Sequence, residues 1–362
     1  MGLPNIDIIF KQKAVTAVKR SQRGVACIIL KDSTQTAAGY DVFKFEADIT
    51  TDKYSAANIE ILKRCFYIAV NKLYVVHVPE NTSDFSTIKP ILDKIKYNYV
   101  CTTIADLQDE LVSYNRSRNQ TSKGKKYIVV AHDVAVADDK FIIRTKNPTA
   151  IDATTGKTVP MTDYLPRITS LLANLPMNRS ATYYELTDLK EVDDSFITIE
   201  KDADKWIDEG YFLLINDEEE VLVGRGVNSL VTYTSTDTED MSSIIIVESM
   251  NLMLEDIYTT FKKYYVGKYK NHLDNQMLFI SSVNGYFRDL VEEEILDPKY
   301  DNHAEINVEE QRNAWLKIGK TEAEDWTEEE VKNMTFKTWM FIKADVKILN
   351  AIEDLRFTVN MA

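Results

Sequence analysis

The sequence predicts an α/β protein with a second, smaller α+β domain. Between residues 24 and 235, short apolar stretches with strand character alternate with stretches of helical periodicity. Such β-α-β order builds a largely parallel sheet that is covered by helices. Residues 25–30 are apolar without interruption, as expected of a strand buried on both faces. The pattern changes to long helices after a polar linker at residues 234–240, which predicts a domain boundary near Ser235.

The elements of the first domain follow in regular order. Strands are predicted at residues 25–30, 72–78, 97–102, 126–131, 141–144, 183–186 and 196–199, and helices at 56–69, 86–95, 104–115, 162–175 and 202–209. Residues 211–215 and 220–223 are expected to form a hairpin around Asn216 and Asp217, because these residues are typical of tight turns.

The second domain is predicted to contain two long helices. Apolar residues recur at helical spacing from 246 to 264, and Gly267 ends this helix. A second helix is expected at residues 271–295. Asn307 with Glu310, and Thr327 with Glu330, have the spacing of helix-capping pairs. Two closing strands are predicted within residues 336–342 and 355–361.

Both ends of the chain have the alternating pattern of a half-buried strand. The apolar positions are Ile6, Ile8 and Phe10 at the amino end and Leu355, Phe357, Val359 and Met361 at the carboxyl end. Arg356, Thr358 and Asn360 fill the other side of the last strand. A strand in these positions must pair with an earlier part of the chain or with another molecule. The amino-terminal segment also carries a basic run up to Arg23, which favours either a solvated tail or docking on an acidic neighbour.

Composition excludes several classes of protein. The formal charge of −14 argues against general nucleic-acid binding, which needs a concentrated basic surface. No apolar run is long enough to span a bilayer, and Pro4, Asn5 and Asp7 stand where a signal peptide needs an apolar core. Synthesis in the cytoplasm is therefore expected. Cys27, Cys65 and Cys101 are widely spaced among apolar residues and are expected to be reduced core residues.

The sequence contains no convincing catalytic or cofactor site. The four histidines, His77, His132, His272 and His303, lie far apart without a partner at metal-ligand spacing. Gly224-Arg225-Gly226 lacks the third glycine of a dinucleotide loop and is better explained as a tight turn. Neighbouring acids such as Asp138 and Asp139 are expected by chance among 57 acidic residues. No cofactor and no metal are expected.

One basic, aromatic run remains at the end of the first long helix. Lys262, Lys263, Lys268 and Lys270 are interleaved with Tyr264, Tyr265 and Tyr269. Lysines at a helix carboxyl terminus are favoured by the helix dipole, so the run has a structural explanation. A basic contact face for a partner explains it equally well.

Four segments together resemble one family, the contractile tail sheath proteins of phages and of phage tail-like particles, including R-type bacteriocins (tailocins), of Gram-positive bacteria. They are the opening stretch from Gly2 to Val25, residues 224–230, the turn at 265–271 and the ending at 352–359. The resemblance covers both ends and most of the second half of the chain, whereas residues 37–175 are not diagnostic.

The resemblance implies a subtilisin-like α/β main domain without protease activity, because no serine has a nucleophile context. It implies an amino-terminal arm at 1–23, the main domain at 24–235, an inner helical and β domain at 236–349 and a carboxyl-terminal arm at 350–362. In this family the two arms pass to neighbouring subunits and complete a small sheet there.

The implied protein is a non-enzymatic subunit that polymerises around an inner tail tube and contracts to drive the tube through an envelope. Its implied partners are identical subunits, the tube protein, and baseplate and tail-terminator proteins, without nucleic acid and without membrane insertion. The implied location is the bacterial cytoplasm during assembly and then a released tail or tail-like particle. A small-molecule α/β enzyme and a generic structural polymer remain the alternatives.

Overall fold

The computed structural model describes residues 17–20, 23–135, 137–198 and 200–361, without the side chains of residues 200 and 201. These residues form two compact units. The larger unit contains residues 23–255 and 349–361, and the smaller unit contains residues 17–20 and 256–348. The division after residue 255 falls within a long helix, Ile244–Thr260.

The larger unit is built around one open sheet. Its strands are Val25–Asp32 (β1), Gly39–Phe43 (β2), Lys72–Pro79 (β3), Tyr99–Thr102 (β4), Ile128–His132 (β5), Ile142–Thr145 (β6), Thr149–Asp152 (β7), Thr158–Pro160 (β8), Leu189–Val192 (β9), Tyr211–Phe212 (β10), Leu214–Asp217 (β11) and Glu220–Val223 (β12). Seven of them form a sheet in the order β10-β6-β5-β4-β1-β3-β2. All neighbours in it are parallel except β2, which runs antiparallel to β3. The α/β prediction with a largely parallel sheet is confirmed.

Helices cover the sheet on both faces. They are Ala56–Arg64 (α1), Lys89–Leu92 (α2), Gln108–Thr121 (α3), Met161–Asn174 (α4) and Glu200–Asp208 (α5). Because successive side chains of a strand point to opposite faces, β1 contributes to two cores. Ala26, Ile28 and Leu30 pack with residues of α1 and α4. The alternate positions on β1 pack with residues of α2 and α3.

Two of the predicted strands are wrong. Residues 183–186 contribute only an isolated bridge between Glu185 and Leu222. Tyr183 has a φ of +53°, a left-handed conformation that interrupts an extended strand. Residues 196–198 lie in a turn, where Ile197 N donates to Asp194 O at 2.7 Å. Ile199, the last residue of that predicted strand, lies outside the described residues.

The predicted hairpin exists, but its turn lies two residues later. Asn216 pairs with Val221 and Asp217 with Glu220, so the loop residues are 218 and 219. Glu218 takes the left-handed φ of +52° that the turn requires. The Asn216 side chain instead joins β11 to β9, since it accepts from Val192 N and donates to Val192 O, both at 2.9 Å.

Two further features of the larger unit were missed. Strands β2, β7, β8 and β9 had not been predicted, and the last three form a separate sheet in the order β8-β7-β9. All four are short and carry polar residues on partly exposed faces, as in the pattern of β2. Such strands lack the continuous apolar signal of buried parallel strands.

The smaller unit combines helices with a two-stranded sheet. Its elements include Leu273–Glu292 (α7), His303–Ile306 (β13), Val308–Lys317 (α8), Glu328–Asn333 (α9) and Ile342–Asp345 (β14), preceded by the end of Ile244–Thr260 (α6) and a π-helical turn, Phe261–Tyr265. The capping predictions are confirmed. Asn307 Oδ1 accepts from Glu310 N at 3.1 Å. Thr327 N donates to the Glu330 carboxylate at 2.7 Å, and Thr327 Oγ1 accepts from Glu330 N at 3.3 Å.

The first closing strand is displaced from its predicted position. It spans Ile342–Asp345, whereas residues 336–341 are irregular. Trp339 N donates to Phe336 O at 2.9 Å, and Lys337 has a φ of +45°. This turn is incompatible with an extended strand at residues 336–341.

Candidate functional site

The sheet of the smaller unit is small and open. β13 and β14 pair antiparallel, from His303 opposite Asp345 to Ile306 opposite Ile342. Among the described residues, no other strand joins them. A two-stranded sheet is marginally stable by itself and gains from an additional strand. This sheet is therefore a candidate acceptor for a strand from another chain.

The carboxyl-terminal segment begins with a polar anchor on the larger unit. Glu353 accepts hydrogen bonds from Ser180 Oγ and Thr182 Oγ1, both at 2.7 Å. Arg225 Nη2 donates to both carboxylate oxygens of Asp354 at 2.6 Å, and Arg225 Nε lies 3.5 Å from Glu353 Oε2. The bond to Asp354 raises the pKa of Arg225, although burial acts in the opposite direction. We name these five residues the carboxyl-terminal anchor.

The neighbouring backbone needs a glycine to form this anchor. Gly226 N donates to Thr182 Oγ1 at 2.9 Å. A Cβ at this position would lie 3.0 Å from Ser180 Oγ, which is tighter than ordinary contact. The Gly224-Arg225-Gly226 turn thus has a structural role: it places Arg225 and its neighbour Thr182 beside the acidic pair at residues 353–354.

Beyond the anchor, the predicted strand is exposed. Residues 355–361 form no regular secondary structure within the chain. The exposed fractions are 88% for Leu355, 79% for Phe357, 65% for Val359 and 92% for Met361. Four large apolar side chains at alternate positions thus find no cover among the described residues. Such a surface is typical of an interaction site.

The amino-terminal strand residues Ile6, Ile8 and Phe10 lie outside the described residues. The segment that follows them is anchored in the smaller unit. Arg20 forms an ion pair with Glu293, lies 3.6 Å from the buried carboxylate of Asp256 and stacks on the ring of Tyr286 at 5.3 Å. Lys19 N donates to Thr260 Oγ1 at 3.2 Å.

Arg23 pairs with Glu248 within the larger unit, so two arginines of the basic run are engaged inside the same chain.

The basic, aromatic run lies around the carboxyl end of α6 and its π-helical turn. Lys262, Lys263, Lys268 and Lys270 are all exposed. Lys268 Nζ donates to Lys263 O at 2.6 Å, the arrangement favoured at a helix terminus. Among the described residues, none of the four lysines forms a salt bridge with a carboxylate.

The surroundings of two histidines and of the three cysteines explain these residues as parts of the folded structure. Burial lowers the pKa of His77 and of His132, which favours the neutral form of both imidazoles. Burial raises the pKa of the Cys65 thiol to about 12, and the thiols of Cys27 and Cys101 also have raised pKa values. The three cysteines are reduced and buried, as expected.

The acid pair at 138–139 also has a structural explanation. Asp138 accepts from Val231 N at 2.8 Å and from Thr232 N at 2.9 Å, and Asp139 pairs with Arg116 at 3.3 Å. Within the described part of the chain, no group of three or more histidine, cysteine or acidic side chains could hold a metal ion. No described helix has the length and apolar character that a bilayer span requires.

Sequence reasoning missed the carboxyl-terminal anchor. Ser180 and Thr182 lie more than 170 positions from Glu353 along the chain, and nothing in their local pattern distinguishes them. The available signal was an arginine held between two glycines after a strand, together with an acidic pair directly before the last apolar segment.

Comparison with known proteins identifies relatives along the whole chain. A family model described as the phage tail sheath C-terminal domain matches residues 236–362. The curated tail sheath protein of the Clostridium phage phiCD119 is 28% identical over 370 residues, which cover 99% of this chain and 99% of that protein.

Solved sheath structures share the fold. The sheath tail protein from Desulfitobacterium hafniense aligns with a TM-score of 0.69 at 12% identity, over 84% of this chain and 94% of that chain. The contracted helical sheath of the anti-feeding prophage aligns with a TM-score of 0.70 at 11% identity, over 99% of both chains. The chain thus matches the phage tail sheath C-terminal domain over residues 236–362 and is similar to tail sheath proteins over its whole length, and these likenesses support the role of a structural sheath subunit rather than that of an enzyme.

Proposed function

We propose that this subunit polymerises into a helical sheath in which each chain donates its terminal strands to neighbouring copies. The observation that carries this proposal is the exposed alternating segment at residues 355–361, together with the open sheet formed by β13 and β14. An added strand gains backbone hydrogen bonds along its length, and its alternate apolar side chains fix the register. One chain thus offers both a donor and an acceptor.

The proposal includes a division of the chain into two arms and two domains. We assign residues 1–23 and 350–362 to the two arms, residues 24–235 to the main domain and residues 236–349 to the inner domain. The family match covers residues 236–362, the inner domain with its arm. Both arms have polar anchors, through Arg20 at the amino end and through Glu353 and Asp354 at the carboxyl end. We infer that Ile6, Ile8 and Phe10 act in the same way as the carboxyl-terminal apolar residues.

Strand exchange suits a sheath that changes shape. Connections through extended segments can persist while compact subunits rotate and slide. Each subunit that is held at more than one point gains avidity beyond any single contact. The extended sheath then stores the energy of assembly, and contraction drives an inner tube through a target envelope without a nucleotide.

The remaining partners follow from the same proposal. Lys262, Lys263, Lys268 and Lys270 form an exposed basic patch that is suited to an acidic surface on the inner tube protein. Baseplate and tail-terminator proteins would contact the sheath ends. Assembly takes place in the bacterial cytoplasm, and the particle is released as a phage tail or a tail-like bacteriocin.

A truncation tests the proposal. Deletion of residues 355–362 should leave a folded, soluble subunit, because the exposed apolar residues 355–361 make no buried contacts within the chain. We expect it to form no long tubes in negative-stain electron microscopy. Normal tubes from the truncated subunit would refute strand exchange through this arm.

A matched pair of full-length variants separates side-chain burial from loss of chain length. Phe357→Asp with Val359→Asp should abolish tubes, since both apolar positions would be charged. Thr358→Asp with Asn360→Asp adds the same charge on the polar side of the segment and should retain assembly. Equal behaviour of the two variants would show that the alternating pattern is irrelevant.

A further inference from the structure

The smaller unit contains an open cavity of about 680 Å³ beside the segment that joins α6 to α7. Residues between 261 and 276 line it together with residues 338–340. Its volume lies within the range of sites that bind small molecules. We propose that this cavity receives an aromatic side chain with a hydrogen-bond donor on its ring, tryptophan or tyrosine, from an acidic segment of the inner tube protein. The inference rests on the tube contact proposed above and specifies its chemistry.

The cavity has an aromatic lining. The ring centroids of Phe261 and Tyr265 lie 6.3 Å apart and the rings are nearly parallel, and Tyr269 stacks on Tyr265 at 5.3 Å. Trp339 also lines the cavity and is 63% exposed. Aromatic faces attract the edge of another ring, because the face carries partial negative charge and the edge partial positive charge. Such a lining favours an aromatic guest over an aliphatic one.

A buried glutamine adds a polar group to this lining. Gln276, on α7, is 2% exposed and lines the cavity. Its orientation is fixed by Asn271. The Asn271 Nδ2 group donates to Lys337 O and to Trp339 O, both at 3.0 Å. The Oδ1 atom of Asn271 is therefore the acceptor that faces Gln276 Nε2, at 2.7 Å.

The acceptor atom of the same glutamine is unused. Among the described residues, no group donates a hydrogen bond to Gln276 Oε1. Exchanging the oxygen and nitrogen of this amide would place two acceptors against each other at Asn271, so the network excludes that alternative. A buried acceptor without a partner is costly, and a donor brought by a guest removes the cost. The cavity therefore selects a ring with an N–H or O–H group, as tryptophan and tyrosine have.

The charge beside the cavity indicates the surroundings of that ring. Lys270 lines the cavity and is exposed. It belongs to the basic patch of Lys262, Lys263, Lys268 and Lys270. A segment with aspartate or glutamate next to its aromatic residue would meet the ring site and the lysines together. The cavity is thus continuous with the surface that the proposed function assigns to the tube.

The arms of a neighbouring copy do not supply such a guest. Residues 1–23 and 350–362 contain no tryptophan and no tyrosine. Phe10 and Phe357 have rings without a donor and would leave Gln276 Oε1 unpaired. The guest therefore comes from a different protein rather than from a strand exchanged between subunits.

Small indole probes test the chemistry of the cavity on the full-length subunit. Indole-3-acetate offers the ring, its N–H and a carboxylate. The probe 1-methylindole-3-acetate lacks the N–H, and tryptamine has a positive charge in place of the negative one. In titrations followed by ligand-detected NMR, we expect the methylated probe to bind roughly threefold to tenfold more weakly than indole-3-acetate, and tryptamine also to bind more weakly. Equal affinity with and without the methyl group would overturn the role of Gln276, and tighter binding of tryptamine would overturn the acidic guest.

Two substitutions with matched controls locate the binding. Gln276→Met removes the acceptor at similar volume and should abolish the preference for the unmethylated probe. Gln311→Met should retain it, because Gln311 is also buried, with an Oε1 that has no partner among the described residues, but does not line this cavity. Trp339→Ala should weaken binding of all three probes, whereas Tyr300→Ala, at an exposed ring outside the cavity, should not. Unchanged probe binding in Trp339→Ala would place the site elsewhere and overturn the proposal, whatever the stability of Gln276→Met.

Co-sedimentation with purified inner tubes tests the choice of partner. Trp339→Ala should lose tube binding that Tyr300→Ala retains, and indole-3-acetate should compete with the tube for the parent subunit. Charge reversal of the four lysines reports the tube contact by itself. If the reversal loses co-sedimentation and Trp339→Ala keeps it, the tube contact stands and the aromatic guest is refuted. If neither variant loses it, the proposed tube contact fails, and this choice of partner fails with it.

Discussion

Substitution of Glu353 should release the carboxyl-terminal segment from its own subunit. Its side chain is 16% exposed and accepts hydrogen bonds from Ser180 and Thr182. Glu353→Ala removes both bonds together with the approach of Arg225. The adjacent Asp354 is 83% exposed, so Asp354→Ala removes only a solvated ion pair. The two variants therefore test a partly buried contact and an exposed contact at the same anchor.

The contacts of the two residues predict that Glu353→Ala weakens docking of the segment more than Asp354→Ala does. Hydrogen bonds to a charged acceptor contribute about 1.5–3 kcal/mol each, but Ser180 and Thr182 also bond to each other at 3.1 Å and so remain partly satisfied. We expect a loss of about 2–3 kcal/mol for docking of the segment in Glu353→Ala, which is a factor of roughly 30–150. The exposed Asp354 pair contributes about 0.2–1 kcal/mol, or at most roughly fivefold. Glu353→Gln should lie between these values, since it keeps an acceptor without the charge.

A spin label at Ile352 measures docking directly. This residue is 98% exposed and adjoins the anchor, and Ile352→Cys is the accessible thiol in a chain whose native cysteines are buried. We expect the spectrum of the monomer to change from restricted to mobile in Glu353→Ala and to change little in Asp354→Ala. Equal mobility in both variants and in the parent would show that the anchor does not hold the segment in solution.

Two other predictions concern stability and the tube. Asp32 is 1% exposed; burial alone would raise its pKa, but hydrogen bonds from Asn58, Thr34 and Ser55 outweigh it and lower the pKa to about 2. Because the folded pKa is below the unfolded value, the stabilisation is present above about pH 4 and is lost as the pH falls toward 2. Asp32→Asn should thus lower the free energy of unfolding in urea by about 1–3 kcal/mol at pH 7 and much less near pH 2; an equal loss at both values would contradict the charge argument. Charge reversal of Lys262, Lys263, Lys268 and Lys270 to Glu should weaken co-sedimentation of the sheath with the tube. The same reversal of four other exposed lysines, Lys44, Lys63, Lys89 and Lys94, should not weaken it. Unchanged co-sedimentation of the first variant would exclude residues 262–270 from the tube contact.

The parts of the fold that sequence predicted are those in which one local property decides the structure. A continuous apolar run such as residues 25–30 has few alternatives to a strand buried on both faces. The capping pairs at Asn307 and Thr327 are similarly local, because donor and acceptor lie within one helical turn. The edge strand β2 was missed, since its pairing with β3 is set by the sheet rather than by its own polar and apolar pattern.

The candidate site divides in the same way. The exposed alternation of Leu355, Phe357, Val359 and Met361 is a local pattern and was predicted from the sequence. The carboxyl-terminal anchor and the bonds of Asn284 to the backbone of Ala304 depend on contacts between distant or differently folded segments. An asparagine on a helix carries no signal that its amide will bond to the backbone of a strand.

The arms combine two kinds of interaction that respond differently to their surroundings. Each arm starts from charged anchors, Arg20 at one end and Glu353 with Asp354 at the other. Such ion pairs orient the arm, can exchange one partner for another, and are weakened by salt. In the proposed exchange, the donated strand would instead rely on backbone hydrogen bonds and apolar burial, which salt does not screen. An anchor that released before the strand would let a subunit reorient without losing its neighbour. Release of the anchor before the strand would allow the connections between subunits to survive a change of shape. This order requires the strand of residues 355–361 to bind more strongly than the anchor that precedes it.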